Sequence, residues 1–443
     1  MWILLHILLA ILWIVLSTSK FKIHPLIALF FAAIYVGVTG GLGFLDSLEV
    51  FTAGFGALIG QVGMVIILGS IFGILLDQSR AAISIANFLW NGIGKRFPAL
   101  STTFLGSVVG IPVFCDSGFI LLNPIGKNLA KTSGFSPLLF SISLAGGLYA
   151  THILIPPTPG PLAVAGLMGM GSYLGKVLII GLAVLIPVIL VTAWWARKLK
   201  VTQVESIENT PDQPTEFYQN TSVFWSVATI VIPLLLITLG NLEQFFQNES
   251  IISALGILGH PIIAISVGMG IGFLKLRNPT DGQFLVKASF EKGILTAGPI
   301  LVLTGAGAGF GAVLKGLGLE ELIQGSLLSS ENGLFWILIA FSMAAFFKTA
   351  QGSSTSAMVI SASIFLSIVP ASLVVSSTQS ALFIAAIGAG AMTVSHANDS
   401  YFWIVKEFSG LSVKEALKYY TSLTGLMGLT ALLMVLFLHF ILI

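Results

Sequence analysis

Val177-Leu-Ile-Ile-Gly-Leu-Ala-Val-Leu-Ile-Pro-Val-Ile-Leu-Val-Thr-Ala-Trp-Trp-Ala196 contains no charged residue. A bilayer's hydrocarbon core is about 30 Å thick, and a helix of roughly 20 apolar residues crosses it. The run therefore reads as a membrane span, and Tyr420–Ile443 reads as another. Neither alternates apolar with polar residues, which excludes the strands of a membrane β-barrel. The rest of the chain agrees. Of 443 residues, 56% are hydrophobic and only 9% charged, and the mean hydropathy is +1.00. A soluble chain of this length needs far more charge to cover its surface.

The net charge of +2 leaves no electrostatic footprint for nucleic acid. A single cysteine, Cys115, excludes a disulfide framework and a cysteine-based metal site. The opening run Trp2–Leu16 lacks a basic leader and a small-residue cleavage site, so it reads as a first span rather than a signal sequence.

With so few charges, their positions set the orientation. Lys20 and Lys22 follow the first run. The next loop holds Asp46 and Glu49 without a base, and the one after it holds Arg80, Lys95 and Arg96. Basic loops thus alternate with base-free ones, which puts the amino terminus outside. Leu100–Ile125 breaks the series: it is interrupted by Gly110, Pro112, Asp116, Asn123 and Pro124, yet is followed by Lys127 and Lys131. A hairpin entering from the inside and returning satisfies the charge rule. Broken backbone at that depth is tolerated only where it lines a cavity or is buried in protein.

Leu138–Ile155 then leads out and Val177–Ala196 leads back, with Lys176 as a lone base on the outer side. The polar stretch 197–221, with Arg197, Lys198, Lys200, Pro211 and Pro214, reads as a cytoplasmic linker. Beyond it, Val223–Leu239 leads to a loop with Glu243 and Glu249. Ile252–Leu274 leads to one with Lys275, Arg277, Lys287 and Lys292. After Ile294–Val313, Leu334–Pro370 is interrupted by Lys348, Gln351 and Gly352, a second hairpin entered from the outside. Ala381–Ser395 and Tyr420–Ile443 complete the set, with Lys406, Lys414 and Lys418 between them.

The expected fold is an all-α polytopic membrane protein built as an inverted-topology repeat. Residues 1–196 and 222–443 each supply five spans and one re-entrant hairpin, inserted in opposite directions, the architecture of many secondary transporters. Both termini lie outside. Gly147-Leu-Tyr-Ala-Thr-His152 faintly echoes Gly390-Ala-Met-Thr-Val-Ser-His396 at a similar distance after each hairpin.

An ionised group in lipid costs about 2.5–3.5 kcal/mol on insertion scales, so its retention there points to function. Three qualify: Asp116, Lys348 and Asp399. Asp116, beside Ser117 in the first hairpin, reads as a proton acceptor or substrate contact, or as the N-cap of the returning half-helix. Lys348 opens Lys348-Thr-Ala-Gln-Gly-Ser-Ser-Thr-Ser356. A cation, the Gln351 amide, the Gly352 break and the hydroxyls of Ser353, Ser354 and Thr355 suit an anionic, hydroxylated solute, helped by half-helix N–H groups. The alternative is a snorkelling lysine among packing serines. Asp399, in Ser395-His-Ala-Asn-Asp-Ser400 with His396 and Asn398, reads as a binding or proton-transfer group or as a helix cap. Pro156-Pro-Thr-Pro-Gly-Pro161 cannot continue a helix and reads as a rigid unwound segment. It is either an external loop or a cavity wall offering Thr158. His152, one turn upstream, is either a proton carrier or a packing histidine.

Gly305-Ala-Gly-Ala-Gly-Phe-Gly311 lies in a hydrophobic run with no βαβ context and reads as close helix packing. No Gly-rich loop ends in Lys-Ser or Lys-Thr, which argues against ATP-driven transport. Neither His-Glu-x-x-His nor Gly-x-Ser-x-Gly occurs, which argues against an intramembrane enzyme.

The same strings carry a family likeness. Gly110–Phe119, Pro156–Pro161, Ala350-Gln-Gly-Ser353 and Ser395–Ser400, followed by Phe402-Trp403 and Lys406-Glu407, resemble the gluconate permease family. These are bacterial gluconate:proton symporters of the larger ion-transporter group, and the resemblance spans nearly the whole chain. It implies proton-coupled uptake of a small hydroxylated carboxylate across the inner membrane, in a homodimer, with no cofactor. The residues singled out are the expected site: substrate contacts at Ser117, Thr158, Lys348, Gln351, Gly352, Ser353, Ser354, Thr355 and Asn398, and proton coupling at Asp116, His152, His396 and Asp399. Family members often carry His where this chain has Thr158 and Arg where it has Lys348. Arg grips a carboxylate as a bidentate fork, whereas Lys is a compact point charge, so an acid smaller than gluconate also fits. Uptake of D-serine, glycerate or hydroxybutyrate is the alternative. So is coupling to sodium through the oxygens of Ser353, Ser354, Thr355 and Asn398.

Overall fold

In lipid, backbone N–H and C=O groups must be satisfied within the chain, and a helix does this locally. The computed structural model describes residues 2–79, 81–94, 96–133, 136–199, 222–240, 248–276, 282–318 and 332–443. The described residues are helical, with no strand among them. The first half runs α1 (Trp2–Ser19), α2 (Pro25–Thr39), α3 (Phe44–Gln78), α4 (Ala81–Leu89), α5 (Pro98–Val109), α6 (Cys115–Ser133), α7 (Pro137–Leu154), α8 (Pro159–Leu167) and α9 (Leu174–Arg197). The second runs α10 (Val223–Gly240), α11 (Glu249–Gly259), α12 (Pro261–Lys275), α13 (Gly282–Gly316), α14 (Gly333–Gln351), α15 (Ser354–Ile368), α16 (Ser377–Met392), α17 (Ser400–Ser409) and α18 (Ser422–Leu442). Seven helical stretches among the described residues are long and apolar enough to cross a membrane. The α11–α12 pair, bent by 64°, raises this to eight.

Several expectations are corrected. Asp46 and Glu49 lie within the first two turns of α3, not in a loop. There an acid meets the positive end of the helix dipole. Lys287 and Lys292 likewise sit inside α13, which begins well before the apolar core of its span. The proline string is unwound only through Thr158: Pro159 opens α8 and Pro161 follows in its first turn. Proline is tolerated there because first-turn N–H groups have no intrahelical partner to lose. Arg80, Lys95, Glu243, Arg277 and the linker from Lys200 to 221 lie outside the described residues.

Small residues set the closest packing. The two 35-residue helices α3 and α13 lie side by side: Gly305 faces the ring of Phe55, Gly309 faces Phe51, and Gly307 and Gly311 face Val359 and Ser363 of α15. The glycine run is therefore a helix-contact stripe. In the other layer α7 presses on α5, where a Cβ on Gly147 would overlap the Thr103 carbonyl. Similarly α16 presses on α14, where one on Gly390 would overlap the Phe341 carbonyl. Lys176 donates to the Ser377 hydroxyl (2.5 Å), fastening the start of α9 to that of α16.

The halves also exchange contacts. Gly160 of α8 rests against Met358 of α15, while Tyr401 of α17 meets Phe119 of α6 and donates to the Ala145 carbonyl of α7. The breaks in helices of one half thereby come to lie against the helix pair of the other.

Candidate functional site

Four helix interruptions supply the site. α5 ends at Val109, and 110–114 turn the chain into α6, with the Pro112 carbonyl pressed on Gly73 of α3. α14 ends at Gln351. Gly352 follows at φ +85, a left-handed geometry that suits glycine, and its open face is needed because a Cβ would overlap the Asn398 carbonyl. The Ser353 hydroxyl then caps α15 by accepting from the Ser356 N–H (3.3 Å). The third break, Ile155–Thr158, separates α7 from α8, and the fourth, 393–399, separates α16 from α17.

The fourth break is strained and pinned. Val394 adopts φ 45, which costs an L residue about 1–2 kcal/mol. It is held by its neighbour: the Ser395 N–H donates to the Thr424 hydroxyl (3.1 Å), and the Thr421 hydroxyl donates to the Ser395 carbonyl (2.5 Å). Strain of this kind persists where surrounding contacts enforce it, commonly at functional sites.

Where the second and fourth breaks meet, Lys348 and Asp399 form an ion pair, Nζ to Oδ2 at 2.6 Å. Lys348 is 0% exposed and Asp399 5%. Lys348 also donates to the Gly352 carbonyl and lies 5.5 Å from the centre of the Tyr149 ring, an arrangement that favours a cation. Asp399 accepts the Ser395 hydroxyl on Oδ2 (2.5 Å) and, as N-cap of α17, the Tyr401 N–H on Oδ1 (3.1 Å). Of the readings open from the sequence, Asp399 thus carries the cap geometry together with an ion pair, and Lys348 does not snorkel. Isolated buried charge is costly, and it persists here because each partner is paired and further hydrogen-bonded.

The carbonyls at a helix C-terminus need outside donors. The Thr349 carbonyl of α14 finds them in the fourth break: Asn398 Nδ2 at 2.7 Å and His396 Nε2 at 3.0 Å. An aromatic floor lies beneath. Tyr149 and Tyr401 stack at 5.6 Å, Tyr420 closes on both, and the Tyr149 hydroxyl shares a hydrogen bond with the Ser354 hydroxyl (2.8 Å).

The first break leads to a carboxylate within electrostatic reach of this pair, while the third lays the Pro157 carbonyl against Gly69 of α3. Asp116 sits in the first turn of α6 rather than at its N-cap, half-buried, 3.7 Å from the Cys115 thiol and within electrostatic reach of Lys348 and Asp399. Ser117 is engaged locally, donating to the Phe114 carbonyl (3.2 Å). The Thr158 hydroxyl donates to the Ile155 carbonyl, so it fastens its own turn. His152 packs beside the Phe114 ring. Thr355 stands beside Met358 at the α8 contact with Gly160.

Not every polar group is spoken for. Both amide atoms of Gln351, Oδ1 of Asn398 and Nδ1 of His152 are buried without a protein partner. Each such group costs about 1–3 kcal/mol. Sequence reasoning missed Tyr149, Ser395, Tyr401 and Tyr420. The first two lie within strings singled out above, but aromatic residues in an apolar chain give no signal of their own.

The chain is similar to several known proteins. The solved Alcanivorax borkumensis YdaH transporter has a similar fold, with a TM-score of 0.58 over 89% of this chain and 87% of that one, at 16% identity. The gluconate permease of Pseudomonas aeruginosa is 30% identical, covering 100% of this chain and 98% of its own. The D-serine transporter DsdX of Escherichia coli K12 is 30% identical, covering 97% of each. A family model described as GntP family permease matches residues 2–441. That match, along a chain whose described residues form membrane-length apolar helices, makes this chain a member of the GntP permease family.

Proposed function

We propose that the protein is a proton-coupled symporter that brings a small hydroxylated carboxylate into the cell across the inner membrane. The observation that carries this reading is the meeting of the second and fourth helix breaks at the buried pair Lys348 and Asp399. A buried cation, the unpartnered Gln351 amide and the unpartnered Asn398 Oδ1 match a solute with one carboxylate and several hydroxyls. Relatives named for gluconate and for D-serine share a carboxylate beside a hydroxyl group, so a gluconate-like aldonate leads, and D-serine, glycerate or hydroxybutyrate is the alternative.

In this reading Lys348 holds the carboxylate. Gln351, Asn398, Ser354, Thr355 and the Gly352–Ser353 turn face the hydroxyls, with Ser117 and Thr158 shaping the opposite wall. Asp116, His152, His396 and Asp399 form the proton path. Residues 1–196 and 222–443 act as two oppositely inserted repeats, with α5–α6 and α14–α15 as re-entrant hairpins and both termini outside. Three parallels support this: the matched pair of long helices α3 and α13, the equivalent glycine contacts at Gly147 and Gly390, and the mutual exchange of α8 and α17. A homodimer, with the hairpin-bearing part moving against a scaffold, completes the proposal.

The test is uptake into proteoliposomes under an imposed pH gradient, offering gluconate, glycerate, hydroxybutyrate and D-serine. Accumulation that collapses with a protonophore is expected, and accumulation indifferent to it removes proton coupling. Replacing sodium by choline separates the sodium alternative, which rests on the unpartnered Asn398 Oδ1. Asp116→Asn is expected to abolish gradient-driven accumulation while still inserting. Normal accumulation by that variant removes Asp116 from the path.

A further inference from the structure

Asp399 stands in a place that a substrate carboxylate would want. Its Oδ2 receives the Lys348 ammonium and the Ser395 hydroxyl, two donors on one oxygen, while Oδ1 is occupied by the Tyr401 N–H. Lys348 spends its remaining contacts on the Gly352 carbonyl and the Tyr149 ring. The cation that a carboxylate would need is thus already neutralised from within the chain. Beside it lie the unpartnered amide of Gln351, three residues along α14 from Lys348, and the unpartnered Oδ1 of Asn398, next to Asp399.

We propose that Asp399 is a built-in stand-in for the substrate's carboxylate, and that one proton moving onto it hands Lys348 over to the incoming acid. This rests on the reading that the site carries a carboxylate. The step balances. Before it, the Lys348–Asp399 pair holds one ammonium and one carboxylate, with no net charge, and Asp116 is unchanged throughout. A proton binds Asp399 Oδ2, the Lys348 N–H to Oδ2 contact breaks, and a Lys348 N–H to substrate oxygen contact forms. Afterwards the site holds an ammonium, a neutral acid and a substrate anion, again with no net charge. A lone anion or a lone proton would leave unbalanced charge in a water-poor interior, which is strongly disfavoured. Proton and substrate therefore enter together. Protonated Asp399 still caps α17 through Oδ1, so the helix start survives the exchange.

The other groups facing Asp399 are Lys348 from α14, Cys115 and Asp116 from α6, Tyr149 and His152 from α7, Tyr401 on its own helix, and Tyr420 before α18. Asp116 is the other carboxylate of this group, so it is the competing seat for the proton.

The experiment uses the purified full-length protein in detergent with gluconate as the probe. Proton uptake on binding is read by calorimetry in buffers of different ionisation enthalpy, and the protonated carboxyl stretch is read by infrared difference spectroscopy. For wild type the expectation is one proton per gluconate, a new carboxylic-acid band, and affinity falling about tenfold per pH unit wherever that proton is taken up. Asp399→Asn retains a competent cap. It is expected to bind gluconate with no proton uptake, no band and an affinity independent of pH. Wild-type binding without proton uptake overturns the exchange even if the variant fails to fold. So does proton uptake that persists in Asp399→Asn, or that vanishes in Asp116→Asn but not in Asp399→Asn. Failure of gluconate, glycerate, hydroxybutyrate and D-serine all to bind refutes the carboxylate reading itself, and the exchange with it.

Discussion

Replacing Lys348 by methionine removes the charge while keeping an unbranched side chain of similar reach. Two losses follow from the geometry. Asp399, 5% exposed, loses the ammonium at 2.6 Å and keeps only Ser395 and the Tyr401 N–H. Removing one partner of a buried pair costs about 3–5 kcal/mol, because the other charge is left uncompensated. The Gly352 carbonyl also loses its donor, and a buried acceptor left unpaired costs about 1–3 kcal/mol. The methionine's apolar contact with the Tyr149 ring offsets part of this, leaving a net loss of about 3–5 kcal/mol. Unfolding in detergent, followed by circular dichroism, measures it. The double variant Lys348→Met, Asp399→Asn is expected to regain more than half, since the uncompensated charge is gone, while uptake stays absent in both. A single-variant loss below about 1 kcal/mol, the range of a solvated surface pair, refutes the claim that this pair is buried and coupled.

Gly352→Ala places a Cβ at φ +85 against the Asn398 carbonyl. A loss of at least about 2 kcal/mol and abolished uptake are expected, measured by melting and by transport. Gly390→Ala and Gly147→Ala each drive a methyl into a backbone carbonyl of the neighbouring helix. Overpacking of this kind costs about 1–3 kcal/mol, and thermal melting is expected to show similar losses for the two. Ser412→Ala removes the Ser412–Glu415 capping box. A loss of about 1 kcal/mol with uptake unchanged is expected, which melting and transport together check.

The covalent order of residues already states most of the fold. Hydropathy is a local property, so the runs at Val177–Ala196 and Tyr420–Ile443 reveal spans without knowledge of their neighbours. Gly110–Phe114, Ile155–Thr158 and Gln351–Ser353 likewise announce helix breaks through proline, glycine and hydroxyl content. Hydropathy could not place Asp46 or Lys287. A charged residue at a membrane edge fits a helix end as well as a loop, and the helix dipole chose the former for Asp46.

What the tertiary structure alone decided is which of those breaks meet. Lys348 and Asp399 are 51 positions apart, and Tyr149 and Ser354 are 205 apart. Nothing in either string names the other, because pairing is a consequence of how helices pack. Small residues let α7 sit on α5 and α16 on α14, and that closeness brings distant polar ends together. Composition could thus identify Lys348 and Asp399 as expensive groups in lipid. Only the packed helices show that each is the other's counter-charge, since a buried ion finds its partner across space rather than along the chain.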